Sequence, residues 1–170
     1  MKELYDYSCI KILQALICST TIIAVSTLLE KVVPTMIFLF FFYTLRRRTG
    51  GFHCKSFGRC YFMSILLYIG VVKLEPYISG TTWFIYIIVL SSIIIFTIGT
   101  VNHPNLDYDE TELKRSKLYA RRILIVELLI VLILAKIKIE KTYVYYMSIS
   151  IVMCAVLLLL AKFYRQEKSK

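Results

Sequence analysis

The sequence predicts an all-α, polytopic membrane protein: about six hydrophobic helices, some short or re-entrant, in one domain over residues 1–170. Three observations predict it. Apolar residue types make up 58% of the chain and its mean hydropathy is +0.69, where soluble domains average about 45–50% apolar. The apolar residues gather into six runs, several approaching the roughly 20 residues needed to cross a bilayer. Finally, Lys and Arg sort unevenly between alternate connections, as membrane topology requires.

The runs are 10–29, 32–45, 57–72, 83–101, 123–135 and 143–163. The first is diluted by Lys11, Gln14, Cys18 and the cluster Ser19, Thr20 and Thr21, which suits a helix lying partly in the interface. Lys2 is offset by Glu3 and Asp6 and no small-residue cleavage site follows, so this segment is expected to remain uncleaved. The second run covers only about 21 Å of a roughly 30 Å hydrocarbon core, hence a thinned crossing or a re-entrant helix. The fifth is short and carries Glu127, whose expected partner is Lys136, Lys138 or an arginine near Arg122, and it lengthens if Arg121 and Arg122 snorkel. Asp107, Asp109, Glu110 and Glu112 precede the bases of 114–122, the acid-then-base order of a helix start. The sixth run begins with Tyr143, Tyr145 and Tyr146, read with Tyr77, Trp83 and Tyr86 as an outer aromatic belt.

If all six segments cross with the amino end inside, fifteen Lys and Arg fall on the inner side and five on the outer. That bias places both termini and the 46–60 connection in the cytoplasm of a multi-pass cell-membrane protein. The net charge of +10 raises the question of nucleic acid. Because the basic clusters flank apolar runs, topology and anionic lipid account for them, and no nucleic-acid partner is expected. The lipid bilayer is the expected partner, and six short helices leave a homodimer open.

Residues 46–60 read Arg-Arg-Arg-Thr-Gly-Gly-Phe-His-Cys-Lys-Ser-Phe-Gly-Arg-Cys. Here alone a general base, a thiol, flexible glycines and dense positive charge coincide. The thiolate is the reactive form of cysteine, and positive charge or an imidazole partner favours it. Arg46, Arg47, Arg48, Lys55 and Arg59 supply such a field, and His53 can take a proton from Cys60 and return it to a leaving amine. Geometry sets a condition. On one regular helix, residues seven apart lie about 10.5 Å apart along the axis, beyond direct hydrogen bonding. The helix must therefore break or begin between them. Gly50, Gly51 and Gly58 give the backbone that freedom, and Ser56 is a candidate N-cap that would put Cys60 in the first turns of a helix. The ordinary alternative is a buried core thiol and an interfacial histidine.

The other cysteines, Cys9, Cys18, Cys54 and Cys154, form no CxxC pair. A metal site from His53, Cys54, Cys60 and His103 lacks the spacing that zinc sites favour, so neither metal nor cofactor is expected. Arg46 can grip a carboxylate bidentately, and serves equally as a topology anchor.

Arg46, then Gly50-Gly51-x-His53, then six residues to Cys60 with Ser64 beyond, resembles the signature of the accessory gene regulator B (AgrB) family, membrane peptidases that process quorum-sensing propeptides. The likeness extends over most of the chain and includes a His103-Pro104-Asn105 element. It implies Cys60 as nucleophile and His53 as base, with Arg46, Gly50, Gly51 and Ser64 binding substrate or supporting the site. It further implies an AgrD-type propeptide as substrate, cut at its carboxyl-terminal tail through a thioester and cyclised to a lactone or thiolactone. Leu106 and Asp107 stand where the family often carries lysine and proline, and Cys54 where it usually has a small residue. The rival from another class is a non-enzymatic small transporter or assembly partner. It would concentrate polar residues at mid-membrane, where Gln14, Ser91, Ser92, Thr97 and Glu127 make a thin set.

Overall fold

In the computed structural model, residues 2–52, 56–101 and 109–164 are described, with side chains from Ile12 onward. Among them are six α-helices and no strand: α1 (Lys2–Leu28), α2 (Val32–Thr49), α3 (Phe57–Ile78), α4 (Thr82–Ile98), α5 (Glu110–Lys136) and α6 (Lys141–Phe163).

Local chemistry sets the ends. Pro34 lies in the first turn of α2, where a missing N–H costs no helical bond. That helix runs on through all three arginines, so its 18 residues span about 27 Å, longer than its apolar run alone suggests. Gly50, at φ 66°, ends it by donating its N–H to the Arg46 carbonyl at 3.0 Å, a left-handed stop that favours glycine. Asp109 caps α5 in a reciprocal capping box with Glu112, so the acid-then-base order does mark a helix start. Ser56 holds the N-cap position of α3, but its side chain makes no capping bond.

The core is built on α6, which packs against α2, α4 and α5 and touches α3, while α1 lies on α2 and α3. Tyr146, Ile151, Cys154, Leu158 and Ala161 of α6 are fully enclosed, and the small residues Ser148, Ser150 and Ala155 allow close helix approach. The outer faces are apolar instead of polar: Phe62 and Leu66 on α3, Ile85, Val89 and Ile93 on α4, and Val126, Leu129 and Ile133 on α5 all stand exposed. Soluble monomers do not carry so broad an apolar surface, whereas lipid covers it. Both α3 and α6 are long and apolar enough to cross a membrane. Because α3 is mostly unburied within the bundle, it does not pass that test as the core helix of a soluble fold.

Two sequence expectations change. Tyr145 and Tyr146 are not belt residues: both are buried, with Tyr145 donating to the Val71 carbonyl at 2.9 Å and Tyr146 to Glu75 at 3.3 Å. Tyr77, Trp83 and Tyr86 do stand exposed. Among the described residues Glu127 has no cationic partner; its Oε1 lies 2.8 Å from the Thr44 hydroxyl of α2. Arg122 and Lys136 lie five and nine residues away along α5, off the face that Glu127 shares with its i±3 and i±4 neighbours, whereas Thr44 meets it across the α2–α5 contact.

Candidate active site

The end of α2 and the glycines after it are fastened on three sides. Thr49 accepts from the Val101 N–H at 3.1 Å, and the Arg48 carbonyl accepts the hydroxyls of Thr100 at 2.9 Å and Ser116 at 3.1 Å. Phe52 donates its N–H to the Leu157 carbonyl of α6 at 2.9 Å, and its ring packs on Tyr164. Arg46 folds forward over the same loop, with Nη1 donating to the Gly50 carbonyl and Nη2 to the Phe52 carbonyl at 2.7 Å. Gly51 sits at φ 128°, where a Cβ would fall within the Arg46 guanidinium. Glycine is required at 51 both by backbone conformation and by this packing.

Helix α3 opens at Phe57. Its first turn brings Cys60, whose N–H donates to the Ser56 carbonyl at 3.2 Å. Ser56 makes no side-chain capping bond, and the amino end of a helix favours an anion nearby. One turn on, Ser64 donates its hydroxyl to the Cys60 carbonyl at 2.8 Å. The chain is thus helical up to Thr49 and again from Phe57, with Gly50, Gly51, Phe52 and Ser56 outside any helix. His53 and Cys54 lie outside the described residues, as do Lys55 and His103.

Cys60 is half-buried and lines a cavity of about 210 Å³ enclosed by α1, α2, α3 and α6. Arg46, Phe52, Phe57, Met63 and Ser64 line it too, so six residues of the 46–64 segment meet around one space. Its far walls are apolar, with Ile22, Leu39, Leu67 and Met153 among them. Gly50 and Gly51 shape the loop beside it. The lining also includes polar or thiol residues that sequence reasoning did not place there, among them Gln14 and Cys18 of α1 and Tyr43 of α2. Ser19 donates to the Ala15 carbonyl at 2.7 Å, and the Tyr43 hydroxyl lies 2.9 Å from the Ser19 hydroxyl and 3.5 Å from that same carbonyl. The available signal was the spacing of Gln14, Cys18 and Ile22, one stripe of a helix at four-residue steps. Among the described residues no group of three His, Cys, Asp or Glu is placed to hold a metal ion. The arrangement can hold an extended, apolar peptide segment against a thiol at the amino end of a helix.

The family model described as accessory gene regulator B matches residues 1–160. The chain belongs to the AgrB family. AgrB membership carries a role in quorum-sensing propeptide processing and links the protein to an AgrD-type propeptide substrate. With two helices suited to spanning, it makes this AgrB-family chain a membrane protein. Neither a curated protein nor a solved structure matches the sequence.

Proposed function

We propose that this AgrB-family protein is a membrane-embedded cysteine endopeptidase that removes the carboxyl-terminal tail of a small amphipathic propeptide and promotes its cyclisation. The observation that carries this reading is the setting of Cys60: a thiol in the first turn of α3, facing an apolar cavity beside the loop that Arg46 clamps, just ahead of His53 in the chain.

The propeptide lies on the inner leaflet through its amphipathic helix. His53 takes the Cys60 proton, and the sulfur attacks the carbonyl carbon before the tail. Collapse of the tetrahedral intermediate breaks the C–N bond, His53 protonates the departing amine, and a thioester joins Cys60 to the peptide. A thiol or hydroxyl of the substrate then attacks that thioester, closing a thiolactone or lactone ring and returning the Cys60 thiol. Low water activity at the membrane interface favours the ring over hydrolysis. Arg46, Gly50 and Gly51 hold the loop that positions His53, and Ser64 fixes the carbonyl of Cys60. Both termini and this motif face the cytoplasm, in keeping with fifteen Lys and Arg on that side against five on the other.

The test is co-expression with AgrD-type propeptides bearing an internal cysteine or serine and an acidic tail, with mass spectrometry of the products. Wild-type protein and Cys54→Ala yield the released tail and a cyclic product, while Cys60→Ala and His53→Ala yield neither. Processing that survives Cys60→Ala but not Cys54→Ala transfers the nucleophile to Cys54, and processing indifferent to both ends the peptidase reading.

A further inference from the structure

The step in which Cys60 attacks a carbonyl moves an electron pair onto the substrate oxygen, and that oxyanion needs donors aimed at it. In many thiol peptidases the nucleophile's own N–H serves, but here the Cys60 N–H is committed to the Ser56 carbonyl at 3.2 Å. The amino end of α3 supplies a favourable field, which leaves a directed side-chain donor to be found in the cavity wall.

Of the side chains lining the cavity, the free Cys18 thiol is only a weak donor, and the other polar ones differ in where their protons go. Ser64 directs its proton at the Cys60 carbonyl, and the Tyr43 hydroxyl is engaged by Ser19 and the Ala15 carbonyl. Thr35 donates to the Lys31 carbonyl at 2.6 Å, so Tyr68 is the donor in their 2.7 Å contact. Arg46 directs both terminal nitrogens at the loop carbonyls. Gln14 remains: half-buried, on the inward stripe of α1 with Cys18 and Ile22, it lines the same cavity as Cys60 and has no hydrogen-bond partner among the described residues. An amide in an apolar wall without a partner costs free energy unless something accepts from it.

Resting on the cysteine-peptidase reading, we infer that Gln14 is a catalytic residue whose side-chain amide donates to the oxyanion formed as Cys60 attacks. When the intermediate collapses, the carbonyl reforms, the amine leaves with the proton from His53, and the Gln14 amide is unchanged. The donor acts chiefly while the oxygen carries charge, so it raises the turnover rate more than it tightens substrate binding.

The experiment uses full-length protein reconstituted in vesicles, a panel of synthetic AgrD-type propeptides, and two readouts. Tail release reports carbonyl attack. Alkylation of Cys60 by iodoacetamide, followed by peptide mass mapping, reports the thiolate without forming an oxyanion. Gln14→Met, of similar length and lacking the donor, and Gln14→Ala are expected to lower kcat about 10²- to 10³-fold, with KM within about threefold and Cys60 alkylation at the wild-type rate. Turnover in Gln14→Met within about threefold of wild type, with Cys60→Ala inactive, overturns the role of Gln14 and leaves the peptidase reading standing. Loss of alkylation together with turnover also overturns it, since Gln14 would then only hold the site's shape. Tail release by Cys60→Ala, or processing of no peptide by the wild type, brings down the peptidase reading and this inference with it.

Discussion

The guanidinium of Arg46 occupies the space that a side chain at Gly51 would need, and it does so while donating to the carbonyls of Gly50 and Phe52 on either side. The two residues therefore behave as one unit. A side chain at 51 meets a backbone at φ 128° and expels the group that holds the loop closed.

Gly51→Ala is accordingly expected to slow propeptide tail release about tenfold or more, through roughly 1–3 kcal/mol of backbone strain and loss of the Arg46 clamp. Arg46→Ala slows it comparably. In the double variant the collision is gone and the clamp is lost only once, beside the backbone cost, so the combined loss falls short of the product of the single losses. A four-variant cycle of tail-release rates checks this. Losses that multiply would mean that Arg46 and Gly51 act independently.

Arg46→Lys is not a conservative change here. One guanidinium reaches two carbonyls two residues apart, whereas an ammonium on a flexible stem reaches them as a single point. Lysine at 46 should keep the charge and the membrane insertion yet leave tail release closer to that of Arg46→Ala than to wild type. The check is the same rate assay beside an expression blot. Full activity with lysine would show that charge alone is what the position supplies.

The six apolar runs already outlined this bundle, because lipid-facing and core-facing residues alike must be apolar and only their density along the chain betrays a span. For the same reason nothing in the residue pattern tells the two faces apart. Tyr145 and Tyr146 are the same residue type as Tyr77 and Tyr86, yet the first pair is buried on α6 and the second exposed. The site was half legible. The glycines, the thiol and the arginine crowd one short stretch, which is why spacing alone demanded a helix break between residues 53 and 60. Gln14 and Tyr43 reach the same cavity from α1 and α2, and no local pattern announces a contact made between separate helices.

Glu75 is a case of a polar centre hidden at the end of an apolar run. It is buried, and its carboxylate collects Lys31 at 3.2 Å, Thr142 at 2.8 Å and Tyr146 at 3.3 Å, tying α3 to α6 and to the start of α2. Hydrogen bonds to a charged group contribute about 1.5–3 kcal/mol each at most, and Lys31 is partly solvated. Glu75→Ala should therefore destabilise the protein by about 2 kcal/mol or more, and Lys31→Ala by about 1 kcal/mol or less. Thermal melts of detergent-solubilised protein rank them, and equal losses would assign the stability to the ion pair alone.

Glu127 presents the opposite situation. It is buried at the α2–α5 contact, and among the described residues its Oε2 has no partner and its Oε1 has only Thr44. The Thr44 hydroxyl also lies 2.9 Å from the carbonyls of both Phe40 and Phe41, so its one proton is contested among three acceptors. A carboxylate enclosed this way, with no described cation beside it, is a poor source of stability, whereas an amide of the same shape can donate to Thr44 and carries no charge. Glu127→Gln is expected to melt at or above the wild-type temperature, with a gain of up to about 1 kcal/mol, and to leave the Cys60 cavity unaltered. Thr44→Val, which removes the hydroxyl that Glu127 meets, should cost about 1–3 kcal/mol in the wild-type background and less when combined with Glu127→Gln. A marked loss of stability in Glu127→Gln would show that the negative charge itself is being used, and that a cation reaches it.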